Sequence, residues 1–180
     1  LSISFVDSLL EANLYSDAPG VVNTEGAGTV VISSTGTTYD ANQAGIFRLE
    51  AEYNQLSLED SVFTGNTAWD TGVIWVASRV EQADIRLLRT TVDACSGPAV
   101  YSRSAGDVSI TVTDSSITRN SGTVAGGVML TPPNVLTSVN SDWGEGAMDN
   151  TPCDVGSAYD PYASYGAGAN FSCVGGEGCQ

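Results

Sequence analysis

The sequence predicts an all-β solenoid of about six stacked coils ending in an irregular, disulfide-bearing C-terminal cap, and three observations carry that prediction. A hydroxyl residue recurs as Ser8, Thr35, Ser61, Thr90, Ser115 and Ser141, in steps of 27, 26, 29, 25 and 26 residues. Ahead of each hydroxyl the chain alternates. Five residues upstream stand Ile3, Val30, Leu56, Ile85, Ile110 and Leu136, and three upstream stand Phe5, Ile32, Leu58, Leu87, Val112 and Ser138. The units are rich in Thr, Val and Ser and sparse in strong helix formers, which disfavours a helical solenoid.

The run before each hydroxyl has period two and so reads as a strand with one buried face. A unit of roughly 26 residues holding two or three such strands cannot bury that face alone. Stacking equivalent units does bury it, with each residue lying over its counterpart at the inter-strand spacing of about 4.8 Å. Five residues after the hydroxyl come Asn13, Asp40, Asn66, Cys95, Asn120 and Gly146. The first five of these are expected to form a turn ladder whose short polar side chains satisfy the backbone where the coil bends, Cys95 being a small buried substitute. A further strand then follows Gly20, Gly45, Gly72, Pro98 or Gly127. If Val22, Phe47, Ile74, Val100 and Met129 point inward on it, then Asn23, Arg48, Trp75, Tyr101 and Leu130 point outward.

Two of these positions resemble a known family. Phe63-Thr-Gly-Asn66, Ile117-Thr-Arg-Asn120 and Leu10-Glu-Ala-Asn13, with glycine-led segments such as Gly126-Gly127-Val128-Met129, are similar to paired FxxN and GGA[ILV] repeats. Those repeats mark polymorphic outer-membrane-protein-like, right-handed parallel β-helix proteins. The likeness covers residues 1–146, and Asn140 to Gly146 resembles a last coil of secreted bacterial surface proteins. It implies a right-handed β-helix and a structural or adhesive role at the outer cell surface or outside the cell, with a glycan or protein ligand as partner.

Composition narrows the chemistry. The chain has 180 residues, six basic against 21 acidic, no histidine and a formal net charge of -15. All six basic residues are arginines, so histidine bases, lysine Schiff bases and histidine-ligated zinc are excluded. Nucleic acid is an unfit partner for want of clustered positive charge. Polygalacturonase-like chemistry in a β-helix needs Gly-His-Gly and Arg-Ile-Lys segments, and neither can exist here. No catalytic residue is assigned. Polysaccharide binding or cleavage remains the reading a glycan-active β-helix would require.

The residue before each hydroxyl is Asp7, Ser34, Asp60, Arg89, Asp114 or Asn140. Arg89 is expected to relieve repulsion between Asp60 and Asp114 as a salt ladder, rather than to act as a base. Arg48, Trp75 and Tyr101 form an outward planar stripe, the candidate binding surface. Asp142, Glu145, Asp149 and Asp154, interleaved with Asn140 and Asn150, are the candidate ligands for calcium, the one cofactor the composition raises.

Residues 147–180 break the repeat and are expected to cap the last coil, whose edges would otherwise invite aggregation. Among the cysteines there, Cys153, Cys173 and Cys179, a Cys153–Cys173 bridge would tie the cap to the final coil, and Cys173–Cys179 is the alternative. No apolar run reaches the length of a membrane span. The chain begins on a core strand without an initiator Met, so more coils are expected ahead of Leu1, or further copies of the chain in a head-to-tail filament.

Overall fold

The computed structural model describes residues 1–13, 20–26, 28–68, 71–157 and 170–174. It is a parallel β-solenoid of about six turns. Strands are numbered β1 to β18 along the chain and fall into three sheets. The widest sheet runs β1 (Ser2–Val6), β4 (Thr29–Thr35), β7 (Tyr53–Glu59), β10 (Gln82–Leu88), β13 (Asp107–Thr113), β16 (Val135–Val139), β18 (Asn170–Val174). The second holds β2 (Leu9–Glu11), β5 (Thr38–Asp40), β8 (Val62–Thr64), β11 (Thr91–Asp93) and β14 (Ser116–Thr118). The third runs β3 (Val22–Thr24), β6 (Phe47–Leu49), β9 (Ile74–Val76), β12 (Val100–Ser102), β15 (Val128–Leu130), β17 (Val155–Ser157). Every pairing between these strands is parallel, each strand meeting the strand one coil away.

The alternation read from the sequence sets the core. Ile3, Ile32, Leu56, Ile85, Ile110 and Leu136 stack in one register column of the widest sheet, and the last five are buried. An aromatic cluster fills the coil beside them: Tyr39 stacks on Phe63 at 4.4 Å between centroids and meets Phe47 edge-on at 5.5 Å. Burial pushes the Tyr39 phenol up to about 12, although its hydrogen bond to Ser34 Oγ, at 2.9 Å, pulls the other way.

Two sharp corners shape each coil. At the first, a residue enters the left-handed region: Asp7, Gly36, Asp60, Arg89, Asp114 and Asn140, with φ between 44° and 61°. The next residue is Ser8, Thr37, Ser61, Thr90, Ser115 or Ser141, and its hydroxyl donates to the carbonyl two residues upstream at 2.8 to 3.2 Å. The recurring hydroxyl is thus a clamp across the kink, a local side chain to backbone bond of the kind that competes with regular structure. At the second corner Ala12, Ala41, Gly65, Ala94 and Arg119 take φ between 49° and 58°.

Five of the six expected hydroxyl positions hold, and the second coil is corrected by two residues. Ser34 pairs with Leu58 and Thr35 with Glu59, so the clamp is Thr37. Thr35 and Thr37 carry the same hydroxyl on either side of Gly36, so spacing alone could not separate them; the left-handed kink could, and it falls on the glycine. The third sheet is corrected at its fifth strand. Val128 pairs with Val100 and Met129 with Tyr101, which puts Val128 and Leu130 inward and Met129 in the outer column. Gly126, not Gly127, takes the place of Gly72 and Pro98, because Val128 pairs with Val100; a Cβ on either glycine would collide with backbone, at Asn120 or at Asp154. A one-residue slip exchanges the two faces of a strand.

Strand pairing continues past residue 146: β17 pairs with β15 and β18 with β16. Cys153 is a free thiol, its sulfur 3.3 Å from the Val124 carbonyl oxygen and 3.5 Å from that of Val155. The expected Cys153–Cys173 bridge is therefore not formed. Cys173 lies in the widest sheet at the register of Ser138, whereas Cys153 leads into the third sheet. Cys179 and the tyrosine-rich stretch expected to cap the coil lie outside the described residues. No helix among the described residues is long and apolar enough to cross a membrane.

Candidate functional site

The turn ladder exists, with one member replaced and one added. Asn13, Asn42, Asn66, Cys95, Asn120 and Asn150 follow one another from coil to coil. Asp40 is not a rung: it pairs with Glu11 and Thr64 on the second sheet and accepts a 2.7 Å bond from Thr64 Oγ1. The two-residue shift of the second coil moves Asn42 into its place. Each asparagine in the buried run uses both ends of its amide. Asn66 Oδ1 accepts from the Asn42 backbone N–H at 3.0 Å and from Asn42 Nδ2 at 2.9 Å, while Asn66 Nδ2 donates to the Tyr39 carbonyl at 2.9 Å. Asn120 and Asn150 repeat the pattern, and Asn150 Nδ2 also reaches Asp154 Oδ1 at 2.8 Å. Cys95 sits in the column as expected, its backbone N–H bonded to Asn120 Oδ1 at 3.0 Å. Burial pushes its thiol up to about 11, which leaves it protonated and unreactive at neutral pH.

Arg89 reaches toward one coil only. Its Nε and Nη2 grip the two oxygens of Asp60 at 2.7 and 2.9 Å, and Nη2 also meets Glu59. Among the described residues no ion pair joins it to Asp114, so the expected three-membered salt ladder is a cluster of Arg89, Asp60 and Glu59. The preceding coil offers two adjacent carboxylates, Glu59 and Asp60, where the next offers Asp114 beside Thr113. The forked hydrogen bond to Arg89 holds the Asp60 carboxyl below its ordinary range. At the other corner Arg119 grips Asp93 in the same way, with Nε at 2.8 Å, and the Asp93 carboxyl is likewise held down. Spacing gave no sign of this second pair.

The outward stripe is assembled as the alternation predicts from Asn23 to Tyr101, with Met129 in the place expected for Leu130. Asn23, Arg48, Trp75, Tyr101 and Met129 form one register column on the third sheet, and Arg48, Trp75 and Tyr101 are each half-buried. The Arg48 guanidinium carbon lies 4.1 Å from the Trp75 ring centroid, a cation–π stack. Trp75 Nε1 is buried with no hydrogen-bond partner among the described residues. What fixes Arg48 was not visible in the sequence. Glu50, whose side chain is only 8% exposed, is held between Arg48 and Arg79, and Arg79 also lies 3.4 Å from Glu25. The Glu50 backbone N–H donates to Thr24 Oγ1 at 3.0 Å, which anchors the end of the strand. Burial lowers the Arg48 guanidinium from its ordinary value, and Glu25 opposes that shift.

The acidic segment is not brought together. Asp142 accepts the Gly144 backbone N–H at 2.8 Å, Asp154 is buried against Asn150, and Glu145 and Asp149 are exposed on either side of a short 3₁₀ turn at Gly146–Met148. No three carboxylate or thiol groups among the described residues converge as metal ligands. No protein-family model matches the chain, and neither a curated protein nor a solved structure matches it significantly.

Proposed function

We propose that this protein is a non-catalytic β-solenoid of the cell surface or extracellular space, of the polymorphic outer-membrane-protein-like kind, that holds a glycan or protein ligand on its third sheet. The observation that carries this reading is the stripe in which Arg48 stacks on Trp75 at 4.1 Å, with Tyr101 on the next rung. Two aromatic planes and a guanidinium in a row offer a large contact area whose conformational freedom is already spent. The Glu50–Arg79 network holds Arg48 in place, so the platform is preorganised. The likeness to FxxN repeats has this support: Phe63 and Ile117 are core residues, and Asn66 and Asn120, three residues on, are ladder rungs. The absence of histidine and lysine from the chain supports a binding role over acid–base chemistry.

The test is a Trp75→Ala, Tyr101→Ala double variant, checked by circular dichroism for its strands and then applied to a printed glycan array and to intact cells. The proposal expects binding to fall at least tenfold. Binding equal to that of the unaltered protein would dispose of the platform.

A further inference from the structure

A second, chemically different surface lies on the outer face of the widest sheet. A concavity of about 620 Å³ opens there over Gln82, Asp84, Arg86, Asp107, Ser109 and Thr111, with Pro133 and Val135 at one wall. A smaller one of about 190 Å³ lies over Val31, Ser33, Gln55 and Ser57 and shares Asp84 and Arg86 with the first. Asp84 and Arg86 line both, so the two lie end to end along the solenoid axis as one trough crossed midway by that ion pair. Its floor is two register rows, Val31–Gln55–Asp84–Ser109–Val135 and Ser33–Ser57–Arg86–Thr111–Thr137. Five rungs at the strand spacing give it a length of roughly 19 Å.

The lining decides the ligand class. Arg86 is committed to Asp84 through bonds of 3.2 and 2.6 Å, so its charge is already neutralised. Asp107 is exposed nearby, leaving the trough with one net negative charge in a chain of net charge -15. A polyanion is repelled. What remains is a regular series of hydroxyl, amide and carboxylate groups, one or two per rung, edged by exposed apolar carbons at Val31 and Val135. Vicinal sugar hydroxyls match such a series of donors and acceptors, and the C–H faces of pyranose rings match the apolar edges.

We infer that this trough binds a strand of uncharged polysaccharide laid along the solenoid axis across β4, β7, β10, β13 and β16. The site is independent of the Arg48–Trp75–Tyr101 stripe, which lies on another sheet. Affinity electrophoresis of the full chain through gels containing a soluble mixed-linkage β-glucan, a galactomannan or a xyloglucan tests it, with polygalacturonate as the charged control. The expected result is retardation by at least one neutral polymer and none by polygalacturonate. Asp107→Ala and the trough-filling Ser109→Trp, both at exposed positions, are expected to weaken that retardation tenfold or more. Trp75→Ala with Tyr101→Ala leaves it unchanged. Failure of all three neutral polymers, preference for polygalacturonate, or retardation indifferent to both trough variants overturns the inference. Retardation lost only in the Trp75, Tyr101 variant also overturns it and leaves the stripe standing.

Discussion

At the corner that precedes Ser8, Thr37, Ser61, Thr90, Ser115 and Ser141, the kinked residue is Asp, Gly, Arg or Asn, and Asp60 and Arg89 there are exposed to water. At the corner that precedes Asn13, Asn42, Asn66, Cys95 and Asn120 the kinked residue is Ala, Gly or Arg, and at both corners the residue after the bend turns into the core: Thr37, Ser61, Thr90 and Ser141 are as buried as Asn42, Asn66 and Asn120, and Asn150 continues the ladder without a left-handed residue before it. The difference lies in what satisfies the backbone. At the first corner each hydroxyl bonds back to its own coil, and Thr90 and Ser115 also donate to carbonyls of the coil before while their backbone N–H groups donate to Ser115 Oγ and Ser141 Oγ of the coil after. The second corner is closed between coils, by amides that both donate and accept, and few other side chains do both in that space. The kinked residue varies at both corners, and what distinguishes them is the buried residue that follows it, a Ser or Thr at the first and, Cys95 apart, an Asn at the second.

The comparison breaks most visibly at the buried corner. Asn66→Ala strips partners from the Asn42 backbone N–H, the Asn42 amide and the Tyr39 carbonyl, and leaves a void beside the aromatic cluster. Urea unfolding is expected to show a loss of about 2–4 kcal/mol, the cost of stranded buried polar groups plus a small cavity.

A smaller effect is expected where an acid at the edge of the second corner is paired. Arg119 holds the Asp93 carboxyl below its ordinary value, so the pair stabilises the fold above the unfolded carboxyl pKa of about 3.9 and ceases to do so as pH falls through the depressed folded value. Melting curves of the unaltered protein and Arg119→Ala are therefore expected to differ at pH 6 and to converge below about pH 3.9. A gap that widens on acidification would contradict the pairing.

The smallest effect belongs to the strained alanines. Ala94 has φ of 52° and an exposed side chain, so Ala94→Gly relieves left-handed strain while loosening the unfolded chain. A gain of a few tenths of a kcal/mol in the same urea assay is expected.

Most of the fold was legible because period-two alternation and a repeated hydroxyl survive in every coil. The missing information was local. Two equivalent threonines flank Gly36, and two adjacent glycines precede Val128, so spacing admits two registers and only the left-handed kink at Gly36 and the pairing of Val128 with Val100 select one. Of the candidate residues, the Arg48–Trp75–Tyr101 column follows from alternation. The grip of Arg79 on Glu50 depends on side-chain reach across coils, as does the choice of Arg89 for Glu59 and Asp60, and neither is written in the spacing.

The register of the asparagine ladder is the claim on which the corners, the core and the outward columns all rest, and a matched pair of variants tests it. Asn42→Ala and Asp40→Ala differ by two positions and lie on opposite sides of the corner. Urea unfolding is expected to show Asn42→Ala losing about 2 kcal/mol or more and Asp40→Ala, which gives up a single hydrogen bond at the surface of the second sheet, losing well under half of that. The reverse order would place Asp40 in the ladder and contradict the structure of the second coil.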